Sequence, residues 1–439
     1  MAGKIKELLD KIILNQSRIN PLLAEIFKTK LALRGIKVVN YDKNSPDEPV
    51  VIEKIQQLLK DLNINITEEI NPANIAVSED SDIELAIEEI KQQLGDKNFK
   101  IIFYFASYSY DQEKISCAMK QTFGNILCIG CSSVGEFANG KLYPNALVAM
   151  GIPESALKGI SSYVIDNIDN DYDVTKAFDH FKDSFNLQSE DFDYEKYVGL
   201  LIMDGLSPNQ DKIISGIAKH TDVMFIGGAS ADNWEMKETY QYYDDKTYTN
   251  AAILILIEPN AYQVIKTQSF IPIGKTFKAT KVNENEKKVL EFDNEPAATF
   301  YSNLLSVSIE ELDDYFSDNP IGMMIGNEPY IHDPRCVSSD GLSINFYSEI
   351  PEGAEVQLLK PINIIDETKR VIDENIKNPM EVTALINFNC GCRTNKLKKE
   401  NLEIEHEQIF KEFPMIGFST YGEYYISLIN QTSTILVLK

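Results

Sequence analysis

The chain has 439 residues, 44% of them hydrophobic and 25% charged, as in globular proteins of two or three domains and unlike disordered or low-complexity chains. Lys and Arg number 42 against 67 Asp and Glu, a formal net charge of −25 at pH 7. That charge repels phosphate backbones and anionic lipid surfaces, so neither nucleic acid nor a membrane surface is an expected partner, although a local basic pocket can sit inside an acidic shell.

The first 73 residues read as a helical extension. Ile5, Leu8, Leu9, Ile12 and Ile13 recur at three and four, as do Ile52, Ile55, Leu58 and Leu59, with a turn at Asn44–Pro49 between them. Lys, Glu and Asp interrupt the apolar positions of the N-terminus, which is not the pattern of a signal-peptide core. The longest apolar runs, Ile101–Ala106 and Ala251–Ile257, are strand-length, so no membrane insertion is expected. Of six Cys, Cys117, Cys128, Cys131 and Cys390 lie in or beside apolar runs, which suits a reducing compartment. A cytoplasmic location is expected.

After Pro72, Ser81-Asp82 can cap a helix whose Ile83, Ile87, Ile90 and Leu94 share a face and which ends at Gly95. An internal repeat follows, with copies at Ile101–Glu136, Val198–Asn233 and Ala384–Glu423. Each reads as a buried strand, a polar turn, an amphipathic helix, a short apolar strand and then Gly-x-Ser or Gly-x-Ala. Asp111 can cap the first helix, and Ser207, Pro208 and Gln210 predict a capping box on the second. Between the second and third copies the pattern changes to period two, at Tyr262–Phe270 and Lys275–Val282, with turns at 283–288, Asp340-Gly341 and Pro351-Glu352-Gly353 predicting hairpins. The fold class predicted is mixed α/β: repeated β-α-β units with sheets covered by helices, a β-rich insertion, and the helical extension in front.

Three Gly-Ser turns end strands: GCSSVGE from Gly130, GGASADN from Gly227 and GFSTYGE from Gly417. Such turns can present amides and hydroxyls to a carboxylate or phosphate, or merely end strands. Their recurrence, and a Glu that a simple turn does not need, favour a site. A hydrolase nucleophile elbow does not fit, because Gly135 and Gly422 come three residues after the Ser and strand-like sequence follows. His220 and His406 read as helical residues rather than members of a triad. Cys128 and Cys131 match C-x-x-C, but in an extended segment their side chains point to opposite faces, against a redox or zinc role. Asp204-Gly205-Leu206-Ser207 and Cys390-Gly-Cys-Arg393 occupy equivalent strand ends, where open α/β sheets hold ligands and Arg suits a carboxylate. Asp232, Asn233 and Arg335 are further polar candidates.

In order, GCSSVGEF, LLIMDGLSPNQDKIISGI, FIGGASADNW, SFIPIGKTFKATKV, EPAATFY, PRCVSSDG with IPEGAEVQLL, FNCGCR and GFSTYGE resemble the FIST family, a FIST N domain followed by a FIST C domain. The resemblance covers residues 74 to 439. It implies a FIST N-like domain at 74–288 and a FIST C-like domain at 289–439, behind the helical extension at 1–73, which matches no part of the family. It also implies an intracellular sensory protein of signal transduction that binds a small ligand such as an amino acid. Carried over by residue, it picks out Gly130, Ser132, Gly135, Glu136, Asp204, Gly205, Gly227, Gly228 and Asp232 in the first domain. In the second it picks out Arg335, Cys390, Arg393, Gly417, Gly422 and Glu423. The family's usual small residue between Cys and Arg is Cys392 here. No output domain is recognised, so a signal is expected to pass to a separate protein. No enzyme activity, cofactor or metal is expected. The alternatives are a thiol-dependent enzyme using Cys390 or an interaction scaffold docking through the N-terminal helices at Ile5–Leu14 and Ile52–Leu59.

Overall fold

The computed structural model describes residues 5–6, 8–10, 12–13, 21–42, 45–62, 72–170, 172–187, 192–326 and 328–439. They divide into two compact units, one ending at Ile70 and the other running from Asn71 to Lys439. In the first, helices Pro21–Leu33 and Pro49–Asp61 bury Phe27, Leu31, Ile55 and Leu58 together with Ile5, Leu9 and Ile12 of an N-terminal helical stretch. Pro49 sits at the first helical position, where its missing N–H is not needed. Helix Pro21–Leu33 lies between the two periodic runs from which the helical extension is read; Leu14, at the end of the first run, and Asn44, at the start of the turn, lie outside the described residues.

The second unit is built from three copies of one larger repeat. The first copy runs from strand Asn74–Ser78 through helix Ile83–Leu94, strand Phe99–Ser107, helix Gln112–Phe123 and strand Leu127–Ser133. It closes with the hairpin Glu136–Ala138/Lys141–Tyr143 and strand Leu147–Pro153. The second copy repeats this order from Leu157–Asp166 to Ala251–Pro259, and the third from Tyr262–Gln268 to Thr432–Leu438. The third copy carries Phe270–Pro361 as an insertion and splits its second helix into Gly391–Glu400 and Glu403–Phe410. Only the two strands flanking the second helix run parallel in each copy; their other neighbours are antiparallel.

Each copy sends its hairpin into another copy's sheet. Glu136–Ala138 pairs with Met415–Thr420 of the third copy, Gln241–Tyr243 with Leu127–Ser133 of the first, and Glu423–Tyr425 with Phe225–Ala229 of the second. Three six-stranded sheets of identical strand order result. Their inner faces meet in one apolar core containing Phe103, Phe105, Ile202, Ile255, Phe388 and Phe418, with the rings of Phe105 and Phe418 4.5 Å apart. Each such buried aromatic contributes about 2–3 kcal/mol, so the exchange ties the copies into one cooperative body. Helices therefore cover only the outer face of each sheet, rather than the whole sheet as expected.

Local signals fared unevenly. Asp82 caps its helix through the N–H groups of Glu84 and Leu85, and Gly95 ends it with φ of 73°. The predicted capping box fails: the second copy's helix begins only at Gln210, with Asn209 at its N-cap. Ser207 instead donates to Asp169, and Gln210 to the carbonyls of Gly205 and Ser207. The insertion folds as an eight-stranded sheet against helices Ala297–Leu305 and Leu312–Phe316. Its turns at 283–288 and 340–341 make the expected hairpins. The strand after Gly353, Glu355–Pro361, pairs with Phe270–Asn283 and Ile321–Ile325 rather than with its sequence neighbour, Ile344–Phe346.

Candidate functional site

The three recurrent glycines stand at equivalent register positions, Gly130 opposite Tyr104, Gly227 opposite Leu201 and Gly417 opposite Asn387. A Cβ at each would lie 1.8, 1.8 and 2.3 Å from the partner's carbonyl oxygen, so close strand approach accounts for the glycine. At Gly228 a Cβ would meet Thr420, and at Gly422 Leu428. Gly135, with φ of 149°, turns the chain into its hairpin. Ser132 is buried and donates to the Ala231 carbonyl.

Glu136 and Glu423 open the exchanged hairpins and are both fully buried. Glu136 accepts from the Ser133 hydroxyl and, at 3.1 Å, from the N–H of Ala146. Glu423 accepts from the Thr420 hydroxyl, from the N–H of Thr432 at 3.2 Å and from its hydroxyl at 2.9 Å. In the second copy the same position is Gln241, which accepts from the N–H of Ala251 at 3.1 Å and donates to Ser230 at 2.7 Å. Burial raises Glu136 to about 8 and pushes Glu423 well above the usual carboxylate range. These three side chains anchor the start of each copy's last strand.

Asp204 is likewise internal, accepting from the N–H groups of Leu206 and Asn250 and from the Thr239 hydroxyl. Gly205, beside it, faces a cavity of about 590 Å³. This cavity lies where strands Val198–Met203 and Ala384–Cys390 end, and the insertion covers it through Asn285–Lys287, Asp333–Cys336 and Asn345–Tyr347. Carboxyl ends of parallel strands are where α/β proteins hold ligands, because helix N-termini converge there. Helix Gly391–Glu400 starts at this point with Cys390 as its N-cap.

Residues 100–295 match the FIST N domain and residues 297–425 the FIST C domain, together about three quarters of the chain. The chain belongs to the FIST family. FIST domains are sensory domains of signal transduction. No curated protein matches this chain closely enough to add a relative. The boundary between the two FIST matches falls inside the third structural repeat, and both matched segments line the cavity.

Of the sequence-predicted FIST residues, Gly205, Arg335 and Cys390 line the cavity. Arg335 is exposed, with no hydrogen-bond or ion-pair partner among the described residues. The Cys392 thiol first, and then nearby backbone N–H groups, hold the Cys390 thiol below its ordinary value despite burial, and the same pairing pushes Cys392 up. Arg393 does not face the cavity. Its guanidinium is buried, donating to Asn389 at 3.2 Å and Thr368 at 3.0 Å, and Nη1 has no hydrogen-bond partner. Gly130, Ser132, Gly135, Glu136, Asp204, Gly227, Gly228, Gly417, Gly422 and Glu423 lie outside the lining.

Asp232 acts on the cavity through a loop. In the first and third copies the anchoring Glu follows Ser133 or Thr420 by three residues, but Gln241 follows Ser230 by eleven. The extra chain carries Trp234 and Met236 to the cavity wall, with φ of 59°, 68° and 56° at Asn233, Trp234 and Met236. Left-handed backbone at such bulky residues is strained and persists only where the surroundings impose it. Asp232 supplies the constraint: it accepts from the N–H groups of Met236, Lys237 and Glu238 and from the Tyr421 hydroxyl. Burial disfavours its charge, but the Tyr421 hydroxyl and these N–H groups outweigh that and hold its carboxyl low.

Sequence reasoning missed Asp333, Trp234, Tyr347 and Tyr421, which reach the cavity from separate segments. Asp333 is buried; Oδ2 accepts from Gln431 at 3.0 Å, whereas Oδ1 has no hydrogen-bond partner. Burial first, and then the nearby Cys390, push its carboxyl well above the usual range. Cys128 and Cys131 separate as expected: Cys128 faces the outer helices and Cys131 the inner core, and burial raises both thiols, Cys128 to about 12. His406 is buried against Gly140, and burial lowers it to about 4; His220 stacks on Phe178.

Proposed function

We propose that this FIST protein is a cytoplasmic, non-enzymatic sensor that binds a small carboxylate, such as an amino acid, in the cavity between its FIST N and FIST C segments. The observation that carries the reading is the cavity itself, with an unpaired Arg335 and a buried Asp333 whose Oδ1 lacks a partner. Arg335 would take the carboxylate in a bidentate pair. Asp333 would meet a second polar group deeper in, and Trp234 would cover an apolar part. Arg393 and Glu423 would act from behind the wall, holding the strand ends in place. The signal would pass to a separate protein through the N-terminal helices.

A thermal-shift screen of amino acids and other small carboxylates tests this. At least one should stabilise the wild type, and Arg335→Ala should remove most of that shift while the unliganded melting temperature stays put. Equal shifts in both proteins would refute the carboxylate site. Deleting residues 1–73 should preserve the shift and abolish partner capture. A thiol-dependent enzyme is the second reading, favoured by the lowered Cys390 thiol. His332, next to Asp333, is engaged with Ser348, and burial lowers it to about 4, so it is a poor base for such an enzyme.

A further inference from the structure

We infer that Cys390 and Cys392 form a peroxide-sensitive dithiol in the cavity wall, a modification site that a hydroperoxide converts to a disulfide. Two geometric observations support it. Cys390 and Cys392 both line the same 590 Å³ cavity, so a small oxidant can reach the pair although Cys390 is only 4% exposed. They stand two residues apart at a helix start, which puts their Cα atoms roughly 5–6 Å apart, within the span a disulfide bridges. In addition, the neighbouring Cys392 thiol and nearby backbone N–H groups favour a thiolate at Cys390 despite its burial.

The other four cysteines lack this arrangement. Cys128 and Cys131 are buried on opposite faces of one strand, Cys117 is exposed on a helix, and Cys336 lines the cavity from the insertion, in contact with Asn345.

The chemistry balances in two steps. The Cys390 thiolate attacks one oxygen of the hydroperoxide; an S–O bond forms, the O–O bond breaks, and the leaving alkoxide takes up a proton as alcohol. Cys392 loses its proton and attacks the resulting sulfenic sulfur; the S–S bond forms, the S–O bond breaks, and hydroxide leaves with a proton as water. Two thiols lose two electrons, and the peroxide gains them. The product replaces a charged sulfur at the helix N-terminus with a neutral bridge, which alters the electrostatics of the cavity.

The single tryptophan reports the event, because the Trp234 ring packs on Gly391, between the two cysteines. The test uses the full chain, hydrogen peroxide and no ligand, so its outcome is independent of the ligand reading. Peptide mapping should find a Cys390–Cys392 disulfide, formed with a change in Trp234 emission and reversed by dithiothreitol. Cys390 should be consumed about tenfold faster than Cys117. Cys392→Ser should accumulate a dimedone-reactive sulfenic acid at Cys390, and Cys390→Ser should form neither product, with circular dichroism confirming that both variants fold. Oxidation of Cys117 or Cys336 ahead of Cys390, or a Cys392 that stays free after Cys390 is oxidised, overturns the inference.

Discussion

Glu136 and Glu423, far apart in the chain, hold equivalent places: each opens a hairpin exchanged into another repeat and accepts the N–H that begins its own repeat's last strand, from Ala146 at 3.1 Å and Thr432 at 3.2 Å. The shared Gly-Glu of GCSSVGE and GFSTYGE thus has a mechanical reason, the closing of three interlocked sheets.

This relation has a pH consequence. Burial raises Glu136 to about 8 in the folded protein, above its value of about 4.3 in an unfolded chain. Between those values the folded state binds more protons, so this group's contribution to stability is full below pH 4 and falls as pH rises toward 8. The change is up to roughly 1.4 kcal/mol for each pH unit between the two values. Glu136→Gln, which copies Gln241, should remove that slope. Urea denaturation from pH 5 to pH 8 should show the wild type losing stability relative to the variant; a constant difference would refute the assignment.

The repeat glycines should tolerate nothing larger. Gly227→Ala would put a Cβ 1.8 Å from the Leu201 carbonyl oxygen, a backbone collision costing about 3 kcal/mol or more. By contrast, Gly95→Ala meets no neighbour within 4 Å and carries only the backbone strain of its φ of 73° and ψ of −179°, about 1–3 kcal/mol. Equal melting temperatures for the two variants would contradict the strand-approach explanation.

Thiol reactivity should follow position rather than motif. In native protein at pH 7.5, iodoacetamide should leave Cys128 and Cys131 intact, because burial raises both thiols. Cys390 should be alkylated with a pH midpoint below that of an ordinary thiol, since its hydrogen-bond donors favour the thiolate. A Cys390 midpoint at or above that of exposed Cys117 would be inconsistent with the site.

The cavity loop depends on one hydroxyl. Tyr421 donates to Asp232 at 2.6 Å and accepts from the N–H of Trp234 at 2.6 Å. Tyr421→Phe loses both bonds, at a cost of about 1–2 kcal/mol. Released, the strained loop should relax, shifting Trp234 emission to longer wavelength and weakening ligand stabilisation. Unchanged emission would mean that packing of the Trp234 ring on Tyr421, with centroids 5.2 Å apart, holds the loop by itself.

Features carried by local periodicity or spacing were legible in the sequence: the Asp82 cap, the opposite facing of Cys128 and Cys131, and three β-α-β copies. The exchanged hairpins were not, because no local pattern records that Glu136–Ala138 pairs with Met415–Thr420. Gln241 stayed hidden because its loop is longer and its side chain is an amide. The family resemblance brought Arg335 and Cys390 forward, whereas Asp333 and Trp234 have no repeat counterpart and come together only through folding. Arg393 was read as facing a ligand from its place beside Cys390, but the first turn of its helix directs the guanidinium toward Thr368.

The most direct measurement is a crystal structure of the full chain with the carboxylate that gives the largest thermal shift. The account predicts that molecule inside the cavity, its carboxylate on Arg335 and a polar group at Asp333. Electron density for it at any other place, with the cavity empty, would contradict the account.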